Sequence, residues 1–198
     1  MAAETAVAPS LAQEYRSRLE RDSDIRDHLA YMHRRVIGWR FPRVLELGTR
    51  SGNSTSAFLA ALELSRTGGC LWSVDIADPD VPAWWRELPC WRFLKADDMS
   101  EQALAFGPPA VHVLFIDTSH EYSHTLAELR AYVPRVAPGG VVLMHDTEYA
   151  YAGGKHARDA DPHESDVGRA LDAYCAETGL KWENRPGCYG LGVMEIPR

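Results

Sequence analysis

The sequence predicts an α/β domain built on a doubly wound, mostly parallel sheet of seven strands. Two observations carry that prediction. Short runs that are apolar throughout (VLELG, LWSVDIAD, WRFLKADDM, VHVLFIDTSH and GGVVLMHDT) alternate with helical segments, the pattern of a parallel sheet covered on both faces. The length of 198 residues is enough for one domain with a full core and short for two.

The elements follow in order. Residues 1 to 10 read as a frayed tail of small residues. A polar helix comes next, and Ser23 is placed to cap a second helix through DIRDHLAYMHRRVIGW, where Ile25, Leu29, Met32 and Val36 recur at helical spacing. VLELG is the first strand, and SGNSTSAFLAALELSRTGG is an amphipathic helix closed by a Gly-Gly stop. LWSVDIAD, WRFLKADDM, VHVLFIDTSH and GGVVLMHDT supply strands two to five. Between the last two, HTLAELRAYVPRVAP carries Leu126, Leu129, Val133 and Val136 on one side, and Pro134 ends or kinks it. The polar segment 148–165, with Tyr149, Tyr151, Gly153 and Gly154, is long for a structureless connection; a lid and a disordered stretch both fit it. A last helix near DVGRALDAYCAE precedes two closing strands, LKWENR and YGLGVMEIP, joined by a turn at Pro186-Gly187. Residues 1–40 are thus an amino-terminal tail and helices covering the domain formed by residues 41–198.

Composition narrows the function. A 45% hydrophobic and 25% charged chain is ordinary for a globular protein, and the net charge of −7 argues against a nucleic-acid partner held by phosphate contacts. No apolar run approaches a membrane span, and MAAETAVAPS lacks the pattern of a secretory signal, so a cytoplasmic location is expected. The four cysteines lie far apart without a C-x-x-C pair, which disfavours a zinc ribbon or redox dithiol. The excess of arginine over lysine is read as coding composition.

In an open doubly wound sheet, ligands bind beyond the carboxyl ends of the strands where strand order reverses. Here each of those ends carries an acid: Glu46, Asp75, Asp97 with Asp98, Asp117, and Asp146. His120 and His145 lie beside two of them. The loop GTRSGNST allows close backbone approach at Gly48 and Gly52 and opens a helix with an electropositive end. It lacks a P-loop lysine and is looser than G-x-G-x-x-G, so a ligand loop and a tight turn are both open. Asp75, 23 residues after Gly52, is placed to accept the hydroxyls of a ribose; the alternative is that Asp75 or Asp78 caps the following turn. Asp97 and Asp98 either cap the helix at SEQALAF or contact a base. His28, His33 and His112 read as packed residues, His124 as a solvated surface residue, and His156 and His163 fall in the polar segment. Trp84 and Trp85 either cover the ligand or fill a gap.

The runs VLELGTRSGNST, LWSVDIAD and FIDTSHEYSHTLAELRAYVPRVAPGGVVLMHDT resemble the class I S-adenosylmethionine-dependent methyltransferases. Within them the chain is most similar to small-molecule O-methyltransferases related to catechol O-methyltransferase and to macrolide-sugar and cephalosporin-pathway methyltransferases. The similarity runs from about Ser23 to the end of the chain and is most specific from Ile116 to Thr147. It implies a Rossmann-like sheet with an antiparallel last strand. It also implies that Glu46 and Gly48 face the methionine part of the cofactor, with Arg50 and Gly52 in the same loop, and that Ser54 helps hold the methionine carboxylate. Asp75 would take the ribose, Asp97 and Asp98 would lie beside the adenine, and Asp117 would border the cofactor.

The same resemblance implies a divalent metal, usually magnesium, at Asp117, His145 and Asp146. The sequence departs from the family there, since relatives carry Asp-Asn or Glu-Asp where this chain has His145-Asp146. Imidazole suits zinc, iron or nickel better than magnesium, so a metal-free site in which His145 orients the loop or the acceptor is the rival reading. His120 is the expected general base, with Asp117 and His145 as its catalytic neighbours; the alternative is that it caps the helix beginning near Glu121. The expected partner is a small-molecule hydroxyl acceptor: a sugar, a phenol or a natural-product intermediate. A non-catalytic binding module and a nicotinamide oxidoreductase are the competing classes. The amphipathic amino-terminal helix is equally suited to covering its own core and to a homodimer contact.

Overall fold

The computed structural model describes residues 10–152, 155–157 and 161–198; the expected tail at residues 1–9 and the glycines Gly153 and Gly154 lie outside them. Helix α1 (Leu11–Glu20) opens on a capping box, in which Ser10 Oγ accepts from Gln13 N and the Gln13 side chain accepts from Ser10 N. Helix α2 (Arg26–Ile37) starts at Ile25 without a side-chain cap. The cap expected from Ser23 is therefore corrected: Ser23 stands two positions short of the helix's capping residue, and its buried hydroxyl has no partner among the described residues.

Strand β1 (Arg43–Leu47), helix α3 (Asn53–Ser65), strands β2 (Cys70–Asp75) and β3 (Trp91–Lys95), and the single turn α4 (Glu101–Leu104) come next. Strand β4 (Val111–Ile116), helix α5 (Tyr122–Tyr132) and strand β5 (Val136–His145) follow. The hairpin strands β6 (Ala150–Ala152) and β7 (Lys155–Ala157), helix α6 (Asp166–Thr178), and strands β8 (Trp182–Arg185) and β9 (Leu191–Glu195) complete the chain. The seven-stranded sheet has the order β3-β2-β1-β4-β5-β9-β8, with β1 parallel to both β2 and β4. Strand β9 runs antiparallel to both its neighbours, as expected of the last strand.

Three local expectations are refined. The left-handed residue that ends α3 is Arg66, at φ 50°, ahead of the Gly-Gly pair. Pro134 ends α5 in a 3-10 turn over Val133–Arg135, as its missing N–H requires. The polar segment contains the β6–β7 hairpin, with Tyr151 opposite His156, so part of it is regular structure. Among the described residues no helix is long and apolar enough to cross a membrane.

Each face of the sheet carries its own core. On one, Leu29, Met32 and Val36 of α2 join Phe58 and Leu59 of α3, with Trp85 and Trp91 at the end. On the other, Leu126, Leu129 and Tyr132 of α5 meet Leu171 and Tyr174 of α6. Met32 is fully buried. Met32→Ala should therefore cost about 2–5 kcal/mol in chemical denaturation; a loss under about 1 kcal/mol would show that α2 is not integral to the core.

Glu46 is an ionisable side chain inside the β1 layer, fully buried. Three hydroxyls donate to it: Ser54 Oγ at 2.7 Å, Thr55 Oγ1 at 2.9 Å and Ser73 Oγ at 2.6 Å. Trp91 Nε1 donates in turn to Ser73 Oγ at 2.9 Å, so one carboxyl ties β1 to α3, β2 and β3. Burial pushes its pKa up against the pull of those donors, to about 7. A carboxyl whose folded pKa exceeds its unfolded one contributes stability below the unfolded pKa and loses it as pH rises through the folded pKa. Between pH 4.5 and 7 the wild type should lose roughly 3 kcal/mol that Glu46→Gln keeps. Equal pH slopes in the two proteins would mean that Glu46 folds as the carboxylate.

Candidate active site at the β1–β4 switch point

Strand order reverses between β1 and β4, and the chain closes tightly there. Gly48 takes φ 88°, and a Cβ at that position would lie 1.9 Å from the Asp117 carbonyl oxygen. Only glycine lets the loop after β1 pass over the end of β4. Gly52 at φ 73° then turns the loop into α3; a Cβ there would meet Val81 at 2.5 Å and Trp85 at 3.0 Å. Trp85 is fully buried, so it fills the space under this loop. Arg18 of α1 adds a second support, donating to the Ser51 carbonyl at 2.9 Å and to Asn53 Oδ1 at 3.0 Å.

A cleft of about 400 Å³ opens beyond these strand ends, lined by Gly48, Arg50, Asp75, Ile76, Asp97, Asp98, Asp117, Thr118 and His124, among others. Asp75 holds the loop: its Oδ2 accepts from the backbone N–H groups of Thr49 at 2.8 Å and Arg50 at 2.9 Å, and its Oδ1 from Ala77 at 2.9 Å. It thus caps the turn after β2 and lines the cleft at once. Arg50 pairs with Asp24 at 2.8 Å, linking the loop to the segment before α2. Glu46 and Ser54 stand behind the cleft wall, bonded to one another. Asp97 Oδ1 accepts from Met99 N at 2.8 Å, and the cap of α4 is Ser100, whose hydroxyl accepts from Ala103 N. The capping expected of Asp97 or Asp98 is therefore taken by Ser100.

A second group adjoins the cleft through Asp117. His120 Nε2 lies 3.0 Å from Asp117 Oδ1 and 2.9 Å from Asp146 Oδ2. His145 Nδ1 lies 3.4 Å from the same two oxygens. The other nitrogen of His145 faces two backbone carbonyls, Cys188 at 2.9 Å and Asp24 at 3.1 Å. Carbonyls only accept, so Nε2 carries the hydrogen and Nδ1 is the atom turned toward the acids. His120 does not cap α5: its residue takes φ 58°, and Glu121 is the capping position, with no side-chain bond.

The charges support one another. Burial pushes the His120 imidazolium down, but hydrogen bonds and charges from Asp117 and Asp146 outweigh it and raise its pKa to about 9. The same opposition, led by the Asp117 charge, holds His145 well above the usual histidine range. Burial pushes both carboxyls up, and the two histidines hold them below the usual carboxylate range. The ligating atoms of Asp117, His120 and Asp146 lie within 4.8 Å of one another, a spacing a divalent cation could bridge, and His145 Nδ1 faces the same two carboxylate oxygens at 3.4 Å. The acids suit magnesium, while the nitrogen is taken more readily by manganese, iron or zinc.

Three features went unread in the sequence. His124, expected on the surface, bonds Asp98 Oδ2 at 3.1 Å and lines the cleft. Glu128, one helical turn later, is buried beside it, and the four-residue spacing on α5 was the available signal. Ile76 projects at the cleft mouth with 75% exposure. Four other histidines make local packing or hydrogen-bond contacts: His28 bonds the Gly187 carbonyl, His33 stacks on Tyr15, His112 stacks on Trp39, and His163 pairs with Asp172 on α6.

The fold recurs in solved structures. The S-adenosylhomocysteine-bound methyltransferase PaMTH1 of Podospora anserina matches with a TM-score of 0.63 at 15% identity, over 97% of this chain and 89% of that one. TomG, the O-methyltransferase of Streptomyces achromogenes involved in tomaymycin synthesis, was solved with S-adenosylmethionine. It matches with a TM-score of 0.59 at 13% identity, over 98% and 92%. MycE, of the mycinamycin biosynthetic pathway, was solved with magnesium, S-adenosylhomocysteine and mycinamycin VI. It matches with a TM-score of 0.65 at 20% identity, over 96% of this chain and 55% of its own. No curated protein matches the sequence. Residues 45–147, just over half of the chain and the stretch that builds both the cleft and the histidine–carboxylate group, match the family described as methyltransferase domain, and the chain belongs to that family.

Proposed function

We propose that this methyltransferase moves the methyl group of S-adenosylmethionine to a hydroxyl of a small metabolite. The observation that carries the reading is the position of Asp117, which lines the cleft and also bonds the histidine beyond it. A cofactor in the cleft would lie beside an acid–base group able to receive the acceptor. The free N–H groups at the start of α3 suit a carboxylate, the Asp75 oxygens suit ribose hydroxyls, and exposed Ile76 suits the flat face of a base.

The transfer is an in-line displacement. The acceptor oxygen forms a bond to the methyl carbon as the carbon–sulfur bond breaks, sulfur takes the electron pair, and the hydroxyl proton goes to His120. Tyr149, whose ring centroid lies 6.1 Å from that of His120, supplies an aromatic wall on the acceptor side. Asp117, Asp146 and His145 would hold a divalent cation, with His145 oriented by the carbonyls of Asp24 and Cys188. Bound there, a cation would lower the pKa of the acceptor hydroxyl and take over the two carboxylates that otherwise keep His120 protonated.

Asp75→Ala should abolish calorimetric binding of S-adenosylhomocysteine, and unchanged affinity would remove the cofactor from this cleft. His120→Ala should slow turnover by about 10²- to 10⁴-fold while leaving that affinity nearly intact. A variant as fast as the parent would take His120 out of the reaction. Exhaustive chelation should stop turnover and added magnesium or manganese should restore it; activity that survives chelation sinks the cation.

A further inference from the structure

The base end of the cleft holds a polar group the transfer step does not use. Glu128 is fully buried on α5, with Thr118 Oγ1 donating to its Oε1 at 2.8 Å. Its Oε2 has no hydrogen-bond partner. Beside it Asp98, 7% exposed, has its Oδ1 3.0 Å from His124 Nε2. The facing atoms of the two carboxyls lie within 4.8 Å of each other. Two buried carboxylates cannot face each other without repulsion, and one proton between them satisfies the stranded Glu128 oxygen. Burial, together with the bond and charge of Asp98, raises Glu128 to about 9, so the proton resides on Glu128 at neutral pH. Asp98 is then the partner that accepts.

His124 Nε2 lies 3.1 Å from Asp98 Oδ2. A carboxyl oxygen accepting there fixes the hydrogen on Nε2 and leaves the ring's other nitrogen, Nδ1, as an acceptor. No described residue hydrogen-bonds Nδ1, and the ring lines the cleft together with Asp98 and Thr118. The relay runs from Thr118 through Glu128 and Asp98 to His124, and each step sets the hydrogen position of the next.

We infer that His124 is the specificity-determining residue of the base subsite, accepting a hydrogen bond from the exocyclic amine of a purine. The inference rests on the cofactor reading above and changes one part of it. Both oxygens of Asp98 are engaged inside the protein, so Asp98 acts through His124 and not on the base directly. Glu128 is a positioning residue, donating to Asp98 and keeping it oriented as the acceptor for His124. The ligating atoms of Asp98, His124 and Glu128 also lie within 4.8 Å of one another, a spacing a cation could bridge. The single proton already closes the cluster, which favours the hydrogen-bonded relay.

Calorimetry with S-adenosylhomocysteine and S-inosylhomocysteine tests the inference, because the second ligand replaces the amine by a carbonyl. The wild type should prefer the amine-bearing ligand, and His124→Ala should lose about three- to tenfold of that preference. Glu128→Gln, which keeps a donor toward Asp98, should retain the preference, and Glu128→Ala should lose it. Equal preference in wild type and His124→Ala overturns the inference, as does zinc binding to the wild type that His124→Ala abolishes. Failure of the wild type to bind either ligand would instead overturn the cofactor reading itself.

Discussion

The site depends on the absence of a side chain at Gly48. The Asp117 carbonyl stands where a Cβ of residue 48 would be, and Asp117 N donates to the Leu47 carbonyl at 2.8 Å. Gly48 N donates to the Val74 carbonyl at 2.9 Å, so the ends of β1, β2 and β4 are stitched at one point. The left-handed backbone at Gly48 then carries the loop to the Asp75 carboxylate. A larger residue would have to push β4 away, and Asp117 would move with it. The cleft and the histidine–carboxylate group would come apart together, because Asp117 is their shared member.

Around that point the fold must keep several acids in a small, largely dehydrated volume, and it solves each by different means. Asp75 is satisfied by three backbone N–H groups, and Asp117 and Asp146 by two histidines. Asp98 is satisfied by His124, and Glu46 and Glu128 are pushed toward their neutral forms. The arrangement stays within bounds because few of these groups are carboxylates without a matched donor. It also explains how a chain of net charge −7 can concentrate acids at one edge of its sheet.

Much of this frame was legible in the sequence. Strands buried on both sides are apolar without a break, so VLEL and VHVLFI announce themselves, and an acid directly after such a run must sit at the strand end. Leu126 and Leu129 declare the buried face of α5 by their spacing. What was not legible depends on contacts across the chain. Ser23 has the right chemistry for a cap, but the position at which α2 begins is set by packing. His124 looks solvated until β3 brings Asp98 alongside it, and Glu128 looks like an exposed helical acid until Thr118 and Asp98 close over it. The ionisation of each acid is likewise a property of its neighbours.

The two histidines of the site are divided by what holds their second nitrogen. His145 Nε2 is fixed between the carbonyls of Asp24 and Cys188, one just before α2 and the other just before β9. Those segments are held together by further bonds, His28 to the Gly187 carbonyl at 2.7 Å and Cys188 Sγ to the Ser23 carbonyl at 3.6 Å. His145 therefore cannot turn without disturbing both, which suits a ligand whose Nδ1 must stay aimed at Asp117 and Asp146. His120 stands on a loop residue with a left-handed backbone, its ring partly exposed, and among the described residues it is hydrogen-bonded only toward the acids. That freedom suits a group that must exchange a proton with a changing partner. The amino-terminal helices are on this view part of the site, since the Asp24 carbonyl they position decides which nitrogen of His145 faces the acids.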